Sequence, residues 1–372
     1  MDFLIEVIKQ VTWQQVVMWI IGLALIYLAI KKDMEPALLL PIGFGAILVN
    51  IPLSNVIGGS AEEGTGIIEW LFSVGINASE ALPILLFIGI GAMIDFEPLI
   101  TNPKLMILGA FAQLGIFVTI ILAVLLGFDI KDAASVGIIG AADGPTAILV
   151  ALKLGSKYVG PIMVVAYSYM ALVPIIQPAV IKCITTKKER LIRMDGKRRH
   201  ASKTVKILFP IVVTMVSGLI APKSLALIGF LMFGNLLNEC GVLGSLADTA
   251  KTTLCNLITL ILGITIAFQM QADKFLSLET LMILGLGLVA FVFDTVGGVM
   301  CAKFMNLFCK EKINPMIGAA GISAFPMSAR VVHKQGLKED NTNYLLMHAV
   351  GANVSGQIAS AIVGGLIIGL VI

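Results

Sequence analysis

Polarity along the chain changes in long blocks. Apolar runs fall at about 15–31, 37–53, 67–76, 80–94, 105–128, 132–152, 157–181, 205–222, 225–240, 255–271, 279–308, 313–327 and 343–372, separated by short polar stretches. Runs of this length without residue-by-residue alternation predict helices of about 20 residues that cross a membrane. Lipid offers no partner to backbone N–H and C=O groups, so the architecture is a helical bundle and not a barrel. The expected fold is an all-α polytopic membrane protein of about 10–11 helices. Its first run, Val16 to Ile30, lacks a preceding basic region and cleavage site, and so reads as a retained helix. Runs 67–76, 132–152 and 313–327 are short and rich in Gly, Pro or polar residues, the pattern of re-entrant or broken helices lining a cavity.

Three short matches recur in the same order in both halves. Ile42-Gly43-Phe44 answers Ile228-Gly229-Phe230, Leu86-Phe87-Ile88-Gly89-Ile90 answers Ile261-Leu262-Gly263-Ile264, and Ile139-Gly140-Ala141-Ala142-Asp143 answers Ile317-Gly318-Ala319-Ala320-Gly321. Their nearly constant offsets suggest a duplicated unit, which in transporters usually means two inverted repeats with the site at their interface. The expected division is an N-terminal helix and cytoplasmic turn at 1–36, repeat 1 at 37–181 with a broken helix at 137–148, a basic loop at 182–206, repeat 2 at 207–335 with a broken helix at 313–327, and a C-terminal helix at 336–372. Scaffold and core bundles would then shift against each other as in an elevator.

Composition sharpens this picture. Of the 372 residues, 58% are hydrophobic and 13% charged, which excludes a soluble domain. The net charge of +3 conceals a cluster: Lys182, Lys187, Lys188, Arg190, Arg193, Lys197, Arg198, Arg199, Lys203 and Lys206 face only Glu189 and Asp195. The positive-inside rule puts this loop in the cytoplasm. It reads either as a topology signal alone or also as a docking surface for an acidic partner; nothing points to nucleic acid. Lys31 and Lys32 read as cytoplasmic too, so 67–76 and 132–152 are either both full spans or both re-entrant. Five scattered cysteines suggest no disulfide frame, and dispersed His200, His333 and His348 suggest no transition-metal site.

Chemistry concentrates in the two broken segments. In Gly137-Ile138-Ile139-Gly140-Ala141-Ala142-Asp143-Gly144-Pro145-Thr146-Ala147-Ile148 a carboxylate lies within an apolar run, followed by a Gly-Pro pair that frees backbone carbonyls. Such an oxygen-rich nest suits a hard cation; otherwise Asp143 is a buried partner for a Lys or Arg. The counterpart from Asn314-Pro315 to Arg330 offers oxygens from Asn314, Ser323 and Ser328, while Arg330 carries a planar donor fork suited to a carboxylate or carbamate. Ser328 reads equally as bonding its own helix backbone, and Arg330 as an interfacial anchor. Tyr167-Ser168-Tyr169, Asp294, His348, Asn353, Ser355 and Gln357 add polar groups to other spans; for Asp294 a structural or gating role and a ligand role are both open. No phosphate-binding loop for ATP is present.

Gly140-Ala141-Ala142-Asp143-Gly144-Pro145-Thr146, Asn314-Pro315 through Arg330, Tyr169-Met170-Ala171-Leu172-Val173-Pro174 and Gly351-Ala352-Asn353-Val354-Ser355-Gly356 resemble the signatures of the beta subunit of sodium-translocating, biotin-dependent decarboxylases, or carboxybiotin decarboxylases. The resemblance implies an enzyme of the plasma (inner) membrane that decarboxylates carboxybiotin carried by a partner, exports Na+ and consumes a proton. It implies catalytic roles for Asp143, Tyr169 and Arg330, Na+ binding by Asp143, Asn314, Gly318, Ser323 and Asn353, and carboxybiotin binding by Arg330 and Tyr169. Further implications are a carboxyltransferase alpha subunit, a biotin carrier protein, a small single-span subunit and a trimer of this chain. No A-M-K-M-like site occurs, so biotin belongs on a partner. The competing class is a secondary Na+-coupled carboxylate transporter, which physics alone leaves near parity.

Overall fold

A computed structural model describes residues 9–32, 36–58, 64–78, 80–194, 200–309 and 311–372. The start of the expected 1–36 segment and the loop cations Lys197, Arg198 and Arg199 lie outside the described residues. Among the described residues every regular element is a helix. Six are long and apolar enough to cross a membrane: Trp13–Lys32, Leu105–Leu125, Lys203–Ile220, Gly244–Met270, Leu278–Phe308 and Leu346–Val371. Two bent pairs, Ile67–Asn77 with Ala81–Met93 and Val159–Met170 with Leu172–Ile184, bring the number to as many as eight. Pro36–Val49 and Leu225–Glu239 pack into the same bundle. The chain is an all-α polytopic membrane protein, and outward side chains such as Leu219 and Leu370, 84% and 85% exposed, are what it offers to lipid.

Ion pairs mark the two ends of the bundle. At one end, the basic face, Glu97 meets Lys206 at 3.0 Å, Glu189 meets Lys303 at 3.0 Å, and Arg190 and Arg193 meet Glu339 and Asp340 at 2.8 Å each. Lys153 and Glu80 pair at 3.2 Å at the other end. The helix Ala81–Met93, about 20 Å long at 1.5 Å per residue, separates Glu80 from Glu97.

The apolar segment after Asp129 does not cross. Asp132 and Ser156 are 24 residues apart, about 36 Å along a straight helix. Yet the Ser156 hydroxyl donates to Asp132 Oδ1 at 2.8 Å, and the Lys157 N–H donates to the same oxygen at 3.0 Å. The chain therefore folds back as a first hairpin with its base near the Lys153–Glu80 end. One arm is Ile130–Gly137, extended by a tight turn over Ile138–Ala141; Ala142, with φ of 53°, turns the corner, and Gly144–Leu154 returns. Of the two countings the sequence permits, the fold adopts the re-entrant one. Ile67–Asn77 likewise stays at the end where it starts, tied to the preceding loop by Gly58 N–H donating to Glu69 at 2.9 Å and Ile68 N–H donating to the Val56 carbonyl at 3.1 Å.

A second hairpin enters from the basic face. Asn314 at its start and Asn343 just past its end donate their Nδ2 groups to the same acceptor, the Ile192 carbonyl, at 2.8 and 3.1 Å. Between them run a short helix Met316–Ala319, irregular backbone over 320–326, and the helix Met327–Glu339. The tips of the two hairpins meet inside the bundle, where the Ser323 hydroxyl donates to the Ala141 carbonyl. Backbone approaches backbone beside them: a Cβ on either Gly298 or Gly318 would collide with the other's carbonyl, so only glycine lets Leu278–Phe308 lie this close to the second hairpin.

A third interruption was not expected. The Leu105–Leu125 span turns at Ala112–Gln113, and buried Asp294 from Leu278–Phe308 caps its second half, accepting from Gly115 N–H at 2.6 Å. That bond gives Asp294 a structural partner at a helix N-terminus, where a carboxylate is favoured.

Candidate functional site

The first break presents its carboxylate inward because the backbone has no alternative. Asp143 sits at the N-cap of Gly144–Leu154 in extended conformation, with φ of −137°, and is 3% exposed. Proline at the next position but one lacks an N–H, and the Thr146 hydroxyl donates to Asp143 Oδ2 at 2.5 Å. The Ser360 hydroxyl lies beside the same carboxyl. The Tyr167 ring packs against Gly144, where a Cβ would strike it, and its buried hydroxyl beside Asp143 has no hydrogen-bond partner. No Lys or Arg pairs with Asp143 among the described residues.

The last helix, Leu346–Val371, joins the two breaks through one polar stripe. Asn353, Gln357, Ser360 and Gly364 follow at spacings of four, three and four, so they share a face. Asn353 Nδ2 donates to the Ile322 carbonyl at 2.6 Å, the Ser328 hydroxyl oxygen at 2.9 Å and the Ala320 carbonyl at 3.2 Å. Gln357 Nε2 donates to the Ser323 carbonyl. Ser360 reaches Asp143, and Gly364 makes room for Thr146 and Val150.

These bonds fix which way each amide faces, since a carbonyl neighbour can only take the NH2 group. The oxygens Asn353 Oδ1 and Gln357 Oε1 are left buried without a donor, as is Gln177 Oε1, whose Nε2 donates to the Ala319 carbonyl at 2.7 Å. Buried acceptors without donors are rare and call for an explanation. A carboxylate, a hydroxyl and amide oxygens are the ligand set of a hard monovalent or divalent cation, so a Na+ in transit fits the residues present.

The structure brings Asp143, Ser323 and Asn353 into one cluster at the tips. It does not bring the others there. Tyr169, two residues and about 200° round the helix from Tyr167, donates its hydroxyl to the Leu284 carbonyl at 2.5 Å and packs on Gly287. Asn314 lies at the base of the second hairpin, donating to the Arg190 and Ile192 carbonyls at 2.9 and 2.8 Å. Gly318 is the packing partner of Gly298, and its carbonyl accepts from Gly321 N–H at 3.0 Å. Arg330 is exposed on Met327–Glu339 and has no ion pair among the described residues. Sequence reasoning singled out neither Tyr167 nor Ser360 as a site residue, and named Gln357 only as a polar group of the last span; the 353–357–360 spacing was the signal available.

Residues 14–371 match the family described as Na+-transporting oxaloacetate decarboxylase beta subunit. The chain belongs to this family. It is 49% identical to the methylmalonyl-CoA decarboxylase subunit beta of Propionigenium modestum, over 95% of this chain and 94% of that one. It is 47% identical to the glutaconyl-CoA decarboxylase subunit beta of Acidaminococcus fermentans, over 97% and 94%, and 42% identical to the oxaloacetate decarboxylase beta chain of Klebsiella pneumoniae, over 95% and 94%. Membership of this beta-subunit family links the chain to sodium transport coupled to decarboxylation.

Proposed function

We propose that the chain decarboxylates carboxybiotin presented by a partner subunit and couples this to Na+ export, consuming a proton. The observation that carries the reading is a buried carboxylate without a basic partner among the described residues, Asp143, at the tip of the first of two hairpins that enter from opposite ends of the bundle, near donor-free amide oxygens. Asp143, Ser323, Asn353, Gln357 and Ser360 are the proposed Na+ ligands. The hairpins are the proposed cores of two inverted repeats, and an elevator-like shift of the core would turn the site from one side to the other. Asn314 and Gly318 then act through the shape of the second hairpin.

The basic face is the cytoplasmic one in this reading, by the positive-inside rule. Arg330, exposed on the second hairpin, grips the carboxylate of carboxybiotin through its donor fork. As the N–CO2 bond breaks, its electron pair stays on the ureido nitrogen and CO2 leaves; that nitrogen then takes up a proton. Asp143 is the exchanger: it holds Na+ when ionised and yields it when a proton arrives from the far side. Tyr167, with its unpartnered hydroxyl beside Asp143, is placed to hydrogen-bond the Asp143 carboxyl once the ion has left. Tyr169 holds Val159–Ile184 to Leu278–Phe308 and works by positioning. Higher identity to the acyl-CoA decarboxylase subunits, 49% and 47% against 42%, favours a carboxyltransferase partner acting on an acyl-CoA. A biotin carrier, a single-span subunit and a trimeric arrangement of this chain complete the proposed complex in the plasma membrane.

The test is Asp143→Asn in proteoliposomes. Na+-stimulated carboxybiotin decay and 22Na+ movement should both vanish. Transport that survives the change would overturn Asp143 as the exchanger.

A further inference from the structure

The basic loop is an obvious docking surface in sequence, but the fold uses three of its cations internally. Arg190 pairs with Glu339, Arg193 with Asp340 and Lys206 with Glu97. Glu189 is engaged by Lys303, and the Arg190 guanidinium also donates to the Thr185 carbonyl at 2.6 Å. These contacts strap residues 185–194 to the second hairpin and leave their guanidinium charges neutralised.

Lys182, Lys187, Lys188 and Lys203 stay exposed on the loop without an ion pair among the described residues, and a second, ordered set of free charges lies on the second hairpin. In Met327–Glu339 the residues Arg330, Lys334 and Lys338 stand at spacings of four on one exposed side, while Ser328, Ala329, Val331, Val332, Gln335 and Gly336 are buried on the other. None of the three cations has an ion pair among the described residues. Like charges at this spacing repel one another and weaken a helix, and the two acids that follow, Glu339 and Asp340, are taken by Arg190 and Arg193. The ridge runs about 12 Å along the helix, from the basic face at Lys338 inward to Arg330 in the helix's first turn, which follows the irregular tip around Ser323. The exposed Tyr344 ring stands at the outer end, 6.0 Å from the His333 ring. Arginine and an exposed tyrosine are residue types that anchor interaction surfaces, and the two lysines add charge that steers an acidic partner.

We propose that Arg330, Lys334 and Lys338 form a docking rail for the acidic surface of the carrier domain that presents carboxybiotin, Lys334 and Lys338 capturing the carrier and Arg330 receiving its carboxylated end. This rests on the carboxybiotin reading above. A row descending from the face toward the buried site can follow an inserted protein or its arm; lipid headgroups stay at the surface, so the inner end favours the carrier over anionic lipid.

The experiment uses the assembled complex in proteoliposomes, unaltered or as K334E/K338E, with two substrates: the carboxylated carrier protein and free N-carboxybiotin. The expected result is a fall of about tenfold or more in kcat/KM for the carrier at low salt, shrinking as salt rises, with decay of free N-carboxybiotin unchanged. K334Q/K338Q should fall between. Equal activity of K334E/K338E and the unaltered complex on both substrates overturns the rail. A defect seen only in phosphatidylglycerol vesicles and absent from phosphatidylcholine assigns the ridge to lipid and also overturns it. If the unaltered complex decays neither substrate, the carboxybiotin reading itself fails and the rail falls with it.

Discussion

The two hairpins share a plan and divide the labour. The first is buried along both arms, carries its only ionised groups at the base and the tip, and is shut by a carboxylate: Asp132 accepts from Ser156 and Lys157. The second has a neutral tip at Ser323, one exposed cationic arm, and a base held by two amides on a single carbonyl, Ile192. In the proposed reading, a motif that recurs in sequence serves as an ion holder in one copy and a substrate-facing arm in the other. The lesson is that repeated backbone breaks set where a site forms, while the charge on each copy sets what it handles.

Asp143→Asn should break this comparison most completely, abolishing Na+-dependent turnover while leaving the fold intact, as read by 22Na+ uptake and thermal melting. Next come the stripe residues: Asn353→Ala or Gln357→Leu should raise the Na+ concentration for half-maximal decay about tenfold, the equivalent of one lost ligand interaction of about 1.4 kcal/mol. An unchanged Na+ dependence in both would remove the last helix from the ion site. Tyr167→Phe should shift the pH profile of Na+ release, whereas Tyr169→Phe, losing one bond to Leu284, should cost about 1 kcal/mol of stability and leave that profile in place. Asp132→Ala strands the Ser156 hydroxyl and the Lys157 N–H and should destabilise by about 1–3 kcal/mol; Asn314→Ala, at the more open base, should cost less. The smallest effect concerns the strap. Hydrogen bonds from the Thr342 side chain and backbone, then from Arg193, hold the Asp340 carboxyl at about 2 against an ordinary 3.8. A depressed acid stabilises above its unfolded value, so the clasp should be complete above pH 3.8 and lost as pH falls toward 2. Pepsin cleavage within 185–194 should speed up over that window in the unaltered protein and be pH-independent there in Asp340→Asn.

Much of this was legible in the chain. Apolar run lengths predicted the helical bundle, and Gly, Pro and Asp at 137–148 and 313–327 located both breaks, because proline and glycine alter backbone geometry locally. Which short segments return to their own face was not legible: it depends on Asp132 finding Ser156, a contact across 24 residues. Tyr167 and Tyr169 are equivalent in sequence, and only the rotation of one helix decides which meets Asp143. Asn314 looked like an ion ligand because its amide has an oxygen; the fold engages both of its ends locally, the nitrogen donating to the strap and the oxygen accepting from the Met316 N–H at 3.1 Å. The break at Ala112–Gln113 has no proline to announce it.

The meeting of Ser323 and Ala141 at the hairpin tips has an electrical consequence. The hairpins enter from opposite ends and meet at their tips, so an ion bound there, as proposed, would sit near the middle of the transmembrane field. About half the full 2.3 kcal/mol per charge per 100 mV then acts on each half of its journey. Binding from one side and release to the other share the work against the membrane voltage, and Na+ affinity measured from either side becomes voltage-dependent.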